Sequence, residues 1–134
     1  PYTMHKAALP ACLCFYQFYV NTKTKKLNLQ IYIRSSDVFL ANNWNTCTGA
    51  LLVNMICNLK DINLTPGILK VITGDTHIYK THINQVNENL ERTPRPFPKL
   101  ILKNKKENLT DYTFDDLQLI DYCPYKNIKA PMAV

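Results

Sequence analysis

Three groups of side chains in this 134-residue sequence could carry chemistry. Cys12 stands before an aromatic, apolar run, and a thiolate is a strong nucleophile when a nearby cation helps the thiol to ionise. The run Arg34-Ser35-Ser36-Asp37 offers a planar guanidinium and short hydroxyl donors, a combination that suits a phosphate. His77 and Tyr79 lie two residues apart, so in extended backbone both point to one side, as a ribose contact requires.

Each group also has a plainer structural explanation. Most free cysteines are small buried hydrophobic residues, a polar run after a strand is commonly a solvated corner, and a lone histidine is commonly structural. One physical argument links two of the groups. If Cys12 opens one strand of a hairpin and Arg34 ends the other, the two residues come close in any register. Arg34 is therefore the expected cation beside the Cys12 thiol.

The elements that position these groups follow from hydrophobic periodicity. Leu27 to Ile33 alternates apolar and polar residues, which predicts a strand with one buried face, joined to the preceding aromatic strand as an antiparallel hairpin. The predicted elements are a buried strand at Cys14 to Val20, this strand, a mostly buried helix at Thr46 to Leu59, a turn at Pro66-Gly67, a buried strand at Ile68 to Ile72, a surface helix near Lys80 to Glu91, and strands at Leu100 to Leu102 and Leu117 to Ile120. This mixture predicts an α+β class, with an antiparallel or mixed sheet, a buried central helix and a surface helix, in a single domain spanning 1–134.

The composition is typical of a globular protein, with 46% hydrophobic and 19% charged residues. The net charge of +6 suits a phosphorylated ligand, while the absence of any block of five like charges argues against a dedicated nucleic-acid surface. Five scattered cysteines favour free thiols in a reducing, cytoplasmic environment. No second ligand-spaced pair follows Cys12 and Cys14, so no metal site is predicted. No apolar run reaches the roughly 18 residues of a membrane span.

Seven motifs are spread over essentially the whole chain: Leu9-Pro10-Ala11-Cys12, Gln17-Phe18-Tyr19-Val20, Arg34-Ser35-Ser36-Asp37-Val38-Phe39-Leu40, Asn45, Gly74-Asp75-Thr76-His77-Ile78-Tyr79, Pro94-Arg95-Pro96-Phe97-Pro98-Lys99-Leu100 and Ala130-Pro131-Met132-Ala133-Val134. In the order and spacing of these motifs the sequence resembles thymidylate synthases. The resemblance implies the thymidylate synthase fold and a methyltransferase of nucleotide biosynthesis. Such an enzyme reductively methylates dUMP to dTMP with methylene-tetrahydrofolate as co-substrate and needs no metal.

The resemblance also implies a role for each matching residue. Cys12 matches the nucleophile that adds to the sixth ring carbon of dUMP, making an enolate whose neighbouring carbon attacks the folate methylene. Asn45 matches the amide that reads the uracil edge, where a carboxylate would favour cytosine. The other matches are Arg34 and Ser35 with the phosphate, His77 and Tyr79 with the ribose 3′-hydroxyl, Asp37 between nucleotide and pterin, Leu40 and Ala41 facing the folate, and Val134, whose terminal carboxylate helps to close the site.

The sequence departs from the family pattern mainly on the folate side. Leu13 stands in place of a histidine, Ala41 in place of a glycine that faces the folate in a loop, Asn42-Asn43-Trp44 in place of a more apolar Leu-Pro-Phe stretch, and Gly49 in place of a tyrosine. The extra methyl group of Ala41 can crowd the pterin. Folate binding is therefore expected to be altered, whereas the nucleotide contacts are intact.

Thymidylate synthases also need groups that precede the nucleophile by many residues. These include an arginine loop, a glutamate that organises proton transfer, tryptophans along the folate pocket, and an arginine pair lent by the second subunit of a homodimer. The expectation is that a missing amino-terminal half supplies them, and that this chain alone makes little thymidylate. Two function classes stay open. One is a segment of a complete synthase, longer or bifunctional with dihydrofolate reductase; the other is a truncated or degenerate homologue that acts as a nucleotide-binding or interaction module.

Overall fold

The computed structural model describes residues 4–7 and 9–132, and within them the chain is a mixed α+β structure. In chain order the main elements are β1 (Leu13–Asn21), β2 (Lys26–Asp37), α1 (Ala41–Cys57), β3 (Thr65–His77), α2 (Ile83–Leu90), β4 (Lys99–Leu102) and β5 (Leu117–Ile120). Single 3-10 turns lie at Met4–Lys6, Lys80–His82, Leu109–Asp111 and Phe114–Asp116. Two helices and two small sheets confirm the predicted fold class.

The larger sheet has the strand order β1-β2-β3. β1 and β2 pair antiparallel, from Leu13 opposite Ile33 to Asn21 opposite Lys26, so the predicted hairpin is confirmed. β2 and β3 pair in parallel, and α1 makes the crossover that a parallel pair requires. The sheet is therefore mixed, with β2 at its centre.

The core lies between β2 and α1. Leu27, Leu29, Ile31 and Ile33 are at most 3% exposed, which confirms the predicted alternation, and Val53 and Cys57 of α1 complete the buried cluster. Cys57 belongs to this core, and its burial raises the pKa of the thiol.

Three predictions about the strands were wrong. β2 continues past Ile33 to Asp37 and β3 past Ile72 to His77, because the parallel ladder between them extends over the polar residues. Pro66-Gly67 forms no turn; it lies inside β3, next to an irregularity in the register opposite Asn28. A proline can stand near the start of a strand, where its missing N–H costs no ladder hydrogen bond.

The predicted burial of several elements was also wrong. β1 is an edge strand whose side chains are largely exposed, including Tyr19 at 64%, and β3 alternates half-buried with exposed residues. α1 begins at Ala41, five residues before the predicted start, and is half-buried, with Trp44 in solvent. The chain carries more apolar surface than its own sheet and helix can cover.

The remaining predicted elements are confirmed. The surface helix is a 3-10 turn at Lys80–His82 followed by α2, and the three prolines beyond it keep 94–98 out of helix and strand. β4 and β5 pair antiparallel, with Lys99 opposite Ile120. Neither helix in the described part of the chain combines the length and hydrophobicity needed to cross a membrane.

Candidate active site

The parallel pairing of β2 and β3 brings two of the sequence groups together. At their carboxyl ends Ser35 pairs with Asp75 and Asp37 pairs with His77, and the ladder closes with a 3.0 Å hydrogen bond from Val38 N–H to the His77 carbonyl. Parallel strands end at the same edge of a sheet, so both polar runs lie there. The amino end of β1, antiparallel to β2, reaches the same edge with Cys12 just before it.

Cys12 and Arg34 are neighbours, as the hairpin argument predicted. The Arg34 backbone N–H donates to the Cys12 carbonyl at 2.8 Å. The guanidinium itself donates from Nε to the Ala11 carbonyl at 3.1 Å and from Nη2 to the Pro10 carbonyl at 2.6 Å. Arg34 thus holds the two residues that precede the thiol, while its Nη1 has no hydrogen-bond partner among the described residues.

The Arg34-Ser35-Ser36-Asp37 run has different surroundings at each position. The Asp37 Oδ1 accepts backbone N–H groups of Phe39 at 3.0 Å and Leu40 at 3.2 Å, which closes the turn into α1. Ser36 is fully buried, and its hydroxyl donates to the Asn42 side chain at 3.4 Å. Ser35 is half-buried, so it is the more exposed of the two serines in this run.

Four aromatic and imidazole rings form a row beside these strand ends. His77 contacts Tyr79 edge-on with ring centroids 4.9 Å apart, and Tyr79 contacts His82 at 5.5 Å. His82 also packs against Phe39 at 5.6 Å. The His77 ring also contacts a carboxylate, since Asp75 Oδ2 lies 3.2 Å from His77 Nδ1. Tyr79 and Asp75 together fix the orientation of the His77 ring.

His82 is a residue that the sequence reasoning missed. It is fully buried, with its Nε2 2.7 Å from the Pro131 carbonyl and its Nδ1 3.9 Å from Asp37 Oδ1. A carbonyl oxygen only accepts hydrogen bonds, so Nε2 carries the proton and donates. Nδ1 has no hydrogen-bond partner in the described structure. No spacing or flanking pattern in the sequence distinguishes this histidine from a surface one.

The first turns of α1 carry the expected uracil and folate residues. Leu40 is the residue before the helix, and Ala41 is its first residue, so the prediction that Ala41 lies in a loop was wrong. Asn45 follows Ala41 by four positions and therefore lies on the same helix face, half-buried. Val134 lies outside the described residues.

No group of three or more His, Cys, Asp or Glu residues is placed to hold a metal ion within residues 4–7 and 9–132. The side chains at the carboxyl ends of β2 and β3 include a guanidinium, a hydroxyl, an imidazole and a phenol, and Cys12 lies at the same edge of the sheet.

A family model described as thymidylate synthase matches residues 1–134, the full length of the sequence. The chain belongs to the thymidylate synthase family. This match confirms, at the level of the family, the resemblance found in the sequence motifs. The match includes every element that carries the candidate site.

Two departures from the thymidylate synthase pattern have a visible structural use. Leu13, at the position of the usual histidine, packs against the core cluster beside Cys12. Gly49 is buried in α1, where an added Cβ would lie 3.2 Å from Leu69 Cδ1. A tyrosine could not fit between α1 and β3 at this spacing, so in this member of the family the helix and the sheet pack closely there.

Proposed function

We propose that the chain is a single domain, 1–134, that supplies the nucleotide-binding, carboxy-terminal part of a thymidylate synthase. The complete enzyme would convert dUMP to dTMP with methylene-tetrahydrofolate. The observation that carries this proposal is the common position of Cys12, Arg34 and His77. The hairpin and the parallel ladder place all three at one edge of one sheet.

Each group at that edge has a role in the proposed reaction. The Cys12 thiolate adds to the sixth ring carbon of dUMP, and the adjacent ring carbon becomes the nucleophile towards the folate methylene. Arg34, through its unused Nη1, and Ser35 bind the phosphate. His77 and Tyr79, whose rings are in contact, hold the ribose hydroxyl.

The folate side of the proposed site involves Asp37, Leu40, Ala41 and Val134. Asp37 uses Oδ1 in the turn before α1, whereas its Oδ2 has no hydrogen-bond partner in the described part of the chain. Because Ala41 begins the helix that carries Asn45, its methyl group adds bulk on the face that reads the pyrimidine. A pterin stacked beside the pyrimidine would contact that methyl group.

Two uncovered surfaces support the proposed partners. On the α1 side of the sheet, Tyr16 and Phe18 pair with the buried Ile31 and Leu29 but remain 37% and 42% exposed, since α1 packs on β2 and β3. This exposed apolar surface lies beside the core on the same face of the sheet. It suits packing by the amino-terminal half of the same synthase. On the opposite side Phe15, Tyr32 and Ile72 form an exposed apolar row across all three strands, which suits the sheet of a second subunit.

Base specificity provides one test. Asn45→Asp replaces an amide donor by a carboxylate, so dUMP should bind at least tenfold more weakly and dCMP more tightly, measured by calorimetry. Asn43→Asp adds the same charge to an exposed position of the same helix and should change neither affinity. Equal losses in both variants, or no preference for uracil in the parent chain, would contradict the assignment of Asn45.

Covalent capture tests the nucleophile. The chain is incubated with fluoro-dUMP and methylene-tetrahydrofolate, alone and together with its amino-terminal half, and the adduct on Cys12 is detected by mass spectrometry. Labelling in the completed protein and none in Cys12→Ser are expected. Cys14→Ser, two residues away and exposed, is the matched control and should label normally. If dUMP binds but the completed protein forms no adduct, the chain is a nucleotide-binding homologue without synthase activity.

A further inference from the structure

The segment 121–132 has no helix or strand, yet side chains of α2 and of the residues that flank it on both sides hold its backbone. Four side chains donate hydrogen bonds to tail carbonyls: His82 to Pro131 at 2.7 Å, Gln85 to Lys129 at 3.4 Å, Arg92 to Lys126 at 2.8 Å, and Arg95 to Cys123 and Pro124 at 3.0 and 3.1 Å. We call residues 123–131 the tail. Its carbonyls are used in reverse order along the chain, so the tail runs antiparallel to α2.

The tail is held at both ends. His82 and Gln85 bind its carboxyl-terminal part, and Arg92 and Arg95 bind its amino-terminal part. At its far end Arg95 also stacks on the Tyr125 ring, 3.7 Å from the centroid, so that end is held independently of His82.

His82 differs from the other three donors because it also contacts the candidate active site. Its ring is enclosed between Phe39, which follows Asp37 in the turn, and Tyr79. Its two nitrogens face opposite partners, the Pro131 carbonyl on one side and the Asp37 carboxylate on the other. A displacement of Pro131 therefore acts on the same ring that supports Tyr79 and Asp37.

We propose that His82 is a positioning residue that couples the tail to the nucleotide end of the sheet. Its Nε2–H fixes Pro131, and the packed ring transmits the position of the tail to Asp37 and Tyr79. The docking of the tail does not depend on the proposed function. The coupling to ligand rests on it, because it requires that dUMP bind against Tyr79.

Nuclear magnetic resonance of the full chain tests the docking. In the wild type the imidazole spectrum should show His82 protonated at Nε2, and backbone order parameters of Lys129, Ala130 and Met132 should be near about 0.85. His82→Phe keeps a ring but removes the donor, so these values should fall below about 0.6 while Tyr125 stays ordered. His82→Gln, which restores an N–H donor, should recover most of the order.

A matched variant localises the effect. Arg92→Met removes the donor to Lys126 at the far end of the tail, so order should fall near Lys126 and not at Met132. An Nδ1–H tautomer in the wild type, or unchanged order at Ala130 and Met132 in His82→Phe, overturns the proposal. The tautomer measurement needs no variant, so it decides even if His82→Phe does not fold.

Titration with dUMP tests the coupling. Saturating dUMP should shift the Met132 amide resonance in the wild type and in His82→Gln, and should leave it unchanged in His82→Phe. If dUMP binds to the wild type without moving this resonance, the coupling is refuted. If dUMP does not bind at all, the proposed nucleotide site fails, while the comparison of tail order still decides the docking.

Discussion

Gly74→Ala is expected to separate β2 from β3 at the candidate active site. A Cβ at this position would lie 2.7 Å from the Arg34 carbonyl oxygen and 3.0 Å from the Tyr32 hydroxyl. Real Cβ contacts essentially never fall below 3.0 Å, so the two strands must move apart by at least the difference, 0.3 Å. The obstacle is backbone in a hydrogen-bonded ladder, which has little freedom to move. Gly74 has no positive φ, so the effect is steric and not conformational.

The expected magnitude follows from two opposing terms. Replacing glycine in a strand gains about 0.5–1 kcal/mol, because the unfolded chain loses conformational freedom. Overpacking costs about 1–3 kcal/mol, so it outweighs that gain. Gly74→Ala should therefore lower the free energy of unfolding by about 1–2 kcal/mol. Since Arg34 and His77 lie on the two displaced strands, dUMP affinity should fall as well.

Gly49→Ala is the matched control. Its Cβ would meet the Leu69 side chain at 3.2 Å, a flexible methyl group, and alanine in a helix gains about 1 kcal/mol over glycine. This variant should be as stable as the parent or more stable. Urea unfolding at one fixed protein concentration measures both variants. If Gly74→Ala equals the parent in stability, or loses less than Gly49→Ala, the close approach of the strands does not exist and the reasoning is refuted.

Three further predictions concern stability and are measured by the same unfolding assay. Ile31→Ala at the fully buried centre of the core should cost about 2–5 kcal/mol; a shift of the urea midpoint no larger than that of an exposed-site alanine would contradict the core assignment. Hydrogen bonds from Lys106, then from Thr113, hold the pKa of Asp116 well below its usual value, so Asp116 stabilises the fold at pH above about 4, and this contribution is lost as the pH falls through the depressed pKa. Asp116→Asn should therefore be less stable than the parent at pH 7, and the gap should close at low pH. Lys25 has φ 54° in the hairpin turn, so Lys25→Gly should stabilise by up to about 1 kcal/mol, and a loss of stability would show that the side chain matters more than the backbone.

The local sequence was sufficient to predict the hairpin and the core face. Alternation from Leu27 to Ile33 is a property of one segment, and the two-residue period of a strand converts it directly into a buried row. The neighbourhood of Cys12 and Arg34 followed as well, because an antiparallel pair joined by a short turn leaves only one arrangement of its ends. The motif spacing was enough to identify the family.

Partners distant in sequence were not predictable in the same way. That Asp37 pairs with His77 depends on β3 returning parallel to β2 after a whole helix, and nothing within either segment encodes that choice. The exposure of β1 could not be predicted from its composition, because its aromatic residues are typical of a buried strand. The strand is exposed because it pairs only with β2 and because α1 packs on β2 and β3.

The sequence by itself determined the fold class and the family, and it predicts which residues act on a nucleotide. The tertiary structure decided how these residues meet: Arg34 turned towards the Pro10 and Ala11 carbonyls, Ala41 at the start of a helix, and His82 buried between the tail and Asp37. The physical reason is that periodicity and motif spacing are local properties, whereas burial and hydrogen-bond partners depend on contacts between segments that lie up to about fifty residues apart, as His82 and Pro131 do.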